Sequence, residues 1–99
     1  MTHRLLIRPE AEQDIVEGRD WYEGQRDRLG AEFLTAIDDV FDRICATPHL
    51  VPAEYRSIRR VPLARFPYVV YYRVLMDLVE VVAVLHGSRN PSGWQSRAD

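Results

Sequence analysis

A chain of 99 residues offers enough material for one domain, residues 1–99, and not for two. Its 46% apolar content is that of a globular protein and excludes a disordered segment, while no apolar run approaches the roughly 20 residues a membrane-spanning helix requires. The net charge of −2 is unevenly divided: residues 1–55 carry twelve acids against six arginines, residues 56–99 three acids against seven arginines, and there is no lysine.

His3–Arg8 reads as a first strand, with Leu5 and Ile7 to one side and Leu6 to the other. Three consecutive apolar residues are too few for the core of a secretory signal. With Cys45 as the lone cysteine, no internal disulfide forms, and the cytoplasm is the expected compartment. Pro9 ends the strand and suits the first position of a helix. Glu10, Glu12 and Asp14 then place negative charge at the positive end of the helix dipole. This helix is predicted to run from Glu10 to about Gln25, with Ala11, Ile15 and Tyr22 near one face and Val16 and Trp21 flanking it. Gly18 weakens its middle and permits close packing against a neighbour. After the polar break at Gly24–Arg28, a second helix is predicted over Leu29–Ala46. Its stripe is Phe33, Ile37, Val40 and Ile44, widened by Leu29, Ala36 and Phe41, with Glu32, Asp38, Asp39 and Asp42 opposite. A short connection between two such helices predicts an antiparallel hairpin.

Pro48 and Pro52 end helical structure. From Arg56 the apolar period changes to two. Strands are predicted over Ser57–Val61, Phe66–Val74 and Leu78–His86. In the last, alternation places Val79, Val81, Ala83 and Leu85 on one face and Leu78, Glu80, Val82, Val84 and His86 on the other. The short Leu75-Met76-Asp77 connection demands an antiparallel pairing. The tail, Asn90–Asp99, is polar apart from Pro91, Trp94 and Ala98. The expected fold class is therefore α+β: an N-terminal strand, a helical hairpin packed on an antiparallel sheet, and a short C-terminal tail. The helices cover one face of that sheet; the Arg-rich half builds the other, which suits nucleic acid or an acidic partner, or is simply a solvated surface.

Few residues offer chemistry. His3, His49 and His86 are scattered without ligand spacing, so no metal site is expected. Cys45 ends an apolar stripe and reads as a core thiol. There is no Gly-rich phosphate loop, and Asp38-Asp39 reads as a solvated helix face. Arg65, Arg73, His86 and Arg89 remain. On a tight hairpin Arg73 and His86 fall at opposite ends, well over 15 Å apart at roughly 3.3 Å per residue. Arg73 then reads as an exposed or ion-paired sheet residue and His86 as a residue that seats the tail. Trp94 is either tail packing or a partner anchor. Trp21 and Tyr22 are either a plug for the helical hairpin or part of a groove for a partner helix.

The order of Pro9-Glu10-Ala11, Asp20-Trp21-Tyr22, Gly30, Phe33, Arg65-Phe66-Pro67-Tyr68, Tyr72-Arg73-Val74 and Leu85-His86 resembles the RelE/ParE toxin superfamily over nearly the whole chain. The resemblance implies the toxin of a type II toxin–antitoxin system, bound in a hetero-oligomer by a cognate antitoxin whose C-terminal segment wraps it, with Trp21, Tyr22 and Phe41 as antitoxin contacts. It implies no cofactor and no metal. RelE-like members cut messenger RNA on the ribosome, and that alternative would rest on His86, Arg89 and Arg73 as catalytic residues. ParE-like members bind DNA gyrase without catalysis. The Phe-Pro-Tyr block and the Leu-His-x-x-Arg-x-Pro run are similar to the ParE-like branch, and the absence of lysine and the net negative charge fit ribosomal RNA poorly. The expectation is a ParE-like, non-enzymatic gyrase inhibitor that arrests growth. Its target surface would comprise Arg65, Arg73, His86, Arg89 and Trp94, with the Arg89–Trp94 tail as the toxic element, separable from the rest. A degenerate toxin that acts only in a complex with its antitoxin is the third reading.

Overall fold

The computed structural model describes residues 3–98. Strand β1 (Arg4–Ile7) leads into helix α1 (Pro9–Gln25), which begins at the proline, and a tight corner leads to α2 (Leu29–Ala46). Four strands follow, β2 (Ala53–Tyr55), β3 (Ile58–Pro62), β4 (Tyr68–Leu75) and β5 (Leu78–His86), then one helical turn, α3 (Ser92–Gln95). The strands form one five-stranded sheet in the order β1-β5-β4-β3-β2. The α+β class holds, with two differences in the sheet. β2 is an extra three-residue strand paired antiparallel with β3, and β1 joins the edge of β5 in parallel, Arg4 opposite Leu78 and Ile7 opposite Val81. The parallel pairing is possible because the helical hairpin supplies the long crossover it needs.

The corner between the helices is closed from an unexpected direction. Arg28, at the start of α2, has left-handed backbone (φ 72) and offers no side-chain cap. Glu23 of α1 does that work instead, its carboxylate accepting from the N–H groups of Arg28 (3.1 Å) and Gly30 (3.0 Å). One face of the sheet is then covered by the hairpin: Phe33, Ile37, Val40 and Ile44 bury against Val70, Tyr72, Val79 and Val81. An aromatic cluster of Tyr22, Phe33, Phe66 and Tyr68 fills one end, with ring centroids 4.9–5.9 Å apart. Gly18 lies against it: a Cβ there would sit 2.7 Å from the Phe33 ring.

Strict alternation fails in β5. Tyr71 is opposite Ala83 and Tyr72 opposite Val81, so Val82 is an extra residue, a β-bulge. Val82 and Ala83 both face away from the helices, and Val84 returns to the helix side with Val79 and Val81. A strand apolar on both faces carries no periodic mark of such a slip.

The second face is covered by the tail. Trp94 is only 5% exposed and stacks on Tyr71 (4.7 Å, 17°), with Ile58, Val69, Leu85 and Ala98 around it. The tail is held by ion pairs. Arg97 contacts Asp14 of α1 at 2.7 Å and also donates to the Val82 carbonyl, while Asp14 accepts the Val84 N–H at 3.0 Å. Past the end of β1, this side-chain pair takes up two polar groups of β5 that a longer strand would have bonded. Glu80 lies between Arg73 (2.6 Å) and Arg8 (3.5 Å), and those arginines donate to the Ala98 and Arg97 carbonyls.

Candidate functional site

The open surface of interest is a groove of about 540 Å³ between α1 and the Tyr68–His86 ends of β4 and β5. Glu17, Trp21, Tyr22, Pro67, Tyr68 and His86 line it. Trp21 is 58% exposed, and its ring meets Tyr22 edge to face at 5.0 Å. Tyr68 and His86 are cross-strand partners and pack edge to face at 5.6 Å. The bulge at Val82 brings His86 to this side. Its Nδ1 accepts the Ser88 N–H at 3.1 Å, with the Ser88 hydroxyl 2.8 Å away, which leaves Nε2 for the groove. Burial pushes the Tyr68 phenol up, while the Arg89 charge pulls it down. Arg89 forms no ion pair among the described residues.

The remaining candidates lie elsewhere. Arg73 is opposite Glu80 while His86 is opposite Tyr68, so about 17 Å of strand separates them at about 3.3 Å per residue. They do not share a site, and Arg73 is an ion-paired sheet residue bound to Glu80 and the tail. Arg65 sits on the α2 side in left-handed backbone (φ 71), 2.8 Å from Glu32. Arg65, and then Arg26, hold the Glu32 carboxyl below its ordinary range. Trp94 is buried under the tail, and with Ala98 it completes the core on this face of the sheet. Phe41, 7% exposed, and Tyr22 also belong to the core. Of the three aromatic antitoxin candidates, Trp21 alone stands open to solvent.

A model of the ParE toxin of the type II toxin–antitoxin system parDE matches residues 5–91. The chain belongs to the ParE toxin family. Toxin ParE2 from two strains of Mycobacterium tuberculosis, CDC 1551 / Oshkosh and H37Rv, is 29% identical over 97 residues, covering 97% of this chain and 92% of the relative. A solved structure of the chromosomal ParDE TA system from P. aeruginosa superposes with a TM-score of 0.62 over 86% of this chain and 96% of that one, at 18% identity. That likeness is one of fold.

In this ParE-family toxin the residues that sequence reasoning missed are Asp14, Arg97 and Glu23. In the sequence Asp14 stands as a helix-dipole charge and Arg97 as polar tail. Their contact joins positions 83 residues apart, and nothing local signals it. Glu23 falls inside the first predicted helix, where nothing local marks it as the cap of the second. Among the described residues, no cluster of His, Cys, Asp and Glu is arranged to hold a metal ion, and no helix is long and apolar enough to cross a membrane.

Proposed function

We propose that this ParE-family toxin inhibits DNA gyrase by binding it in the cytoplasm, without catalysis, and that a cognate antitoxin neutralises it. The observation that carries the reading is where the arginines go. RNA cleavage calls for cations converging on one phosphate together with a group that moves a proton. Arg73 is spent on Glu80 and the tail, and Arg65 on Glu32. Of the candidates only His86 lines the groove, with the Arg89 charge near enough to act on the Tyr68 phenol. That is a recognition surface with an exposed Trp and one open cation, the residue types that dominate binding energy at interfaces. The target surface is His86, Arg89 and the rim around Tyr68. The antitoxin docks on the same end through Trp21 and hides it.

The test is a supercoiling reaction with purified gyrase, ATP and relaxed plasmid. Added toxin is expected to stop supercoiling and to accumulate cleaved DNA, and an excess of antitoxin to reverse both. The contact of Tyr68 with His86 beside Arg89 favours a second reading, ribosome-dependent RNA cleavage. In that case gyrase is unaffected, and His86→Ala abolishes cleavage with the fold intact.

A further inference from the structure

The sheet ends in β1 on one side and β2 on the other. An edge strand offers unpaired N–H and C=O groups to any other strand, and shortness, proline, charge and bulges are what deter pairing. β2 has all of these. It is three residues long, follows Pro52, carries Glu54 at its centre, and shifts register against β3 between Ala53 and Tyr55. β1 has charge only at its ends. Its centre is Leu5-Leu6-Ile7, between Arg4 and Arg8-Pro9. Leu5 and Leu6 are both exposed, Leu6 by 47%.

The ladder fixes which groups of β1 are open. Arg4 and Arg8 donate to the Asp77 and Val81 carbonyls, so alternation turns the N–H and C=O of Leu5 and Ile7 outward. Their side chains lie on the helix side, and Leu6 lies on the tail side opposite Glu80. The edge is complementary to an antiparallel copy of itself. With a two-fold axis at Leu6, Leu5 exchanges both hydrogen bonds with Ile7 of the second copy, and Ile7 with its Leu5. An axis at Leu5 brings Ile7 to His3, whose N–H is already given to the Cys45 carbonyl at 2.9 Å. An axis at Ile7 brings Leu5 to Pro9, which has no N–H. The Leu6 register also sets the two Leu6 side chains opposite each other at the close, non-hydrogen-bonded site, with Leu5 beside Ile7. Arg4 then faces Arg8 of the second copy, but each already lies against a carboxylate of its own chain, Asp77 at 3.6 Å and Glu80 at 3.5 Å.

We propose that β1 is a self-docking edge: two copies of this chain pair antiparallel about a two-fold axis at Leu6 and join their sheets into one. A closed contact of this kind uses the same patch on both copies. The groove at the Tyr68–His86 end is clear of it, because β1 reaches only as far as Val81 along β5. Each copy keeps that groove open, and the contact does not depend on the gyrase reading.

The measurement is sedimentation velocity of purified toxin over a concentration series, for wild type, Leu6→Glu, Leu6→Arg and an equal mixture of the two variants. So short a contact makes a weak interface, and wild type is expected to be monomeric at about 10 µM and substantially dimeric by about 0.5 mM. Either variant alone sets like charges against each other at the axis. Each is expected to stay monomeric over the same range and to melt close to wild type, because Leu6 is half solvent-exposed. The mixture sets opposite charges across the axis and is expected to dimerise again, an outcome that only a contact centred on residue 6 produces. Wild type that stays monomeric at about 0.5 mM would overturn the proposal. So would variants that dimerise singly as wild type does, or a mixture that stays monomeric. Loss of antitoxin binding in both variants, with wild type monomeric throughout, would assign the edge to the antitoxin instead.

Discussion

The two faces of the sheet are covered by different physics. On the helix side, a long amphipathic hairpin buries aliphatic rows and an aromatic cluster, and the stripe Phe33, Ile37, Val40 and Ile44 suffices to hold it there. On the other side the cover is a short tail, seated by one large ring and by carboxylates that receive arginines. Helix packing of the first kind spreads its stability over buried apolar area. The second kind concentrates its stability in a few partners, each left buried and uncompensated when the other is removed. The target surface proposed above, around Tyr68, His86 and Arg89, lies where the two covers meet.

Matched truncations test that contrast most strongly. Phe33→Ala on the helix side and Trp94→Ala on the tail side are each expected to cost about 3–5 kcal/mol by urea unfolding. The stacking of Trp94 on Tyr71 makes the tail as costly to lose as the helical core; a loss under about 1 kcal/mol for Trp94→Ala would return the tail to the status of an appendage. Next comes Asp14→Ala. It strands Arg97 and the Val84 N–H together, and is expected to cost roughly 3 kcal/mol, with faster amide exchange at Val84 as its signature. On the helix side Gly18→Ala drives a methyl into the Phe33 ring and is expected to cost about 1–3 kcal/mol, read as a lowered melting temperature. A neutral result would mean that the aromatic cluster yields more readily than its packing indicates.

The smallest effect concerns pH. Arg65 and Arg26 depress the Glu32 carboxyl, so its contribution is fully present above the ordinary carboxylate range and is lost as pH falls through the lowered value. Wild type is expected to melt slightly above Glu32→Gln at neutral pH, and the two curves to converge in acid. A difference that grows on acidification would contradict the pairing.

The helix side was largely legible in the sequence and the tail side was not. Helical periodicity marks which residues of α2 turn inward, and Pro9 marks where α1 begins, because both are local properties of the chain. The pairing of β1 with β5 is a contact between distant segments, and its parallel sense follows from the path of the chain rather than from any residue. The bulge at Val82 is silent because Val82, Ala83 and Val84 are apolar whichever way they face. Arg97 looked like polar tail because a charge satisfied by a partner 83 residues away reads the same as a solvated one. The site was half legible for the same reason. His86 and Trp21 are recognisable residue by residue. That they line one groove, while Arg73 and Trp94 do not, depends on strand register and on where the tail folds back.

The most direct test of the binding reading is a titration of gyrase supercoiling with wild type and with Arg89→Glu. Arg89 makes no ion pair among the described residues, so its replacement leaves the fold intact. The account predicts an unchanged melting temperature and inhibition weakened at least tenfold, while Arg73→Gln loses stability. Arg89→Glu inhibiting gyrase as well as wild type does would contradict it.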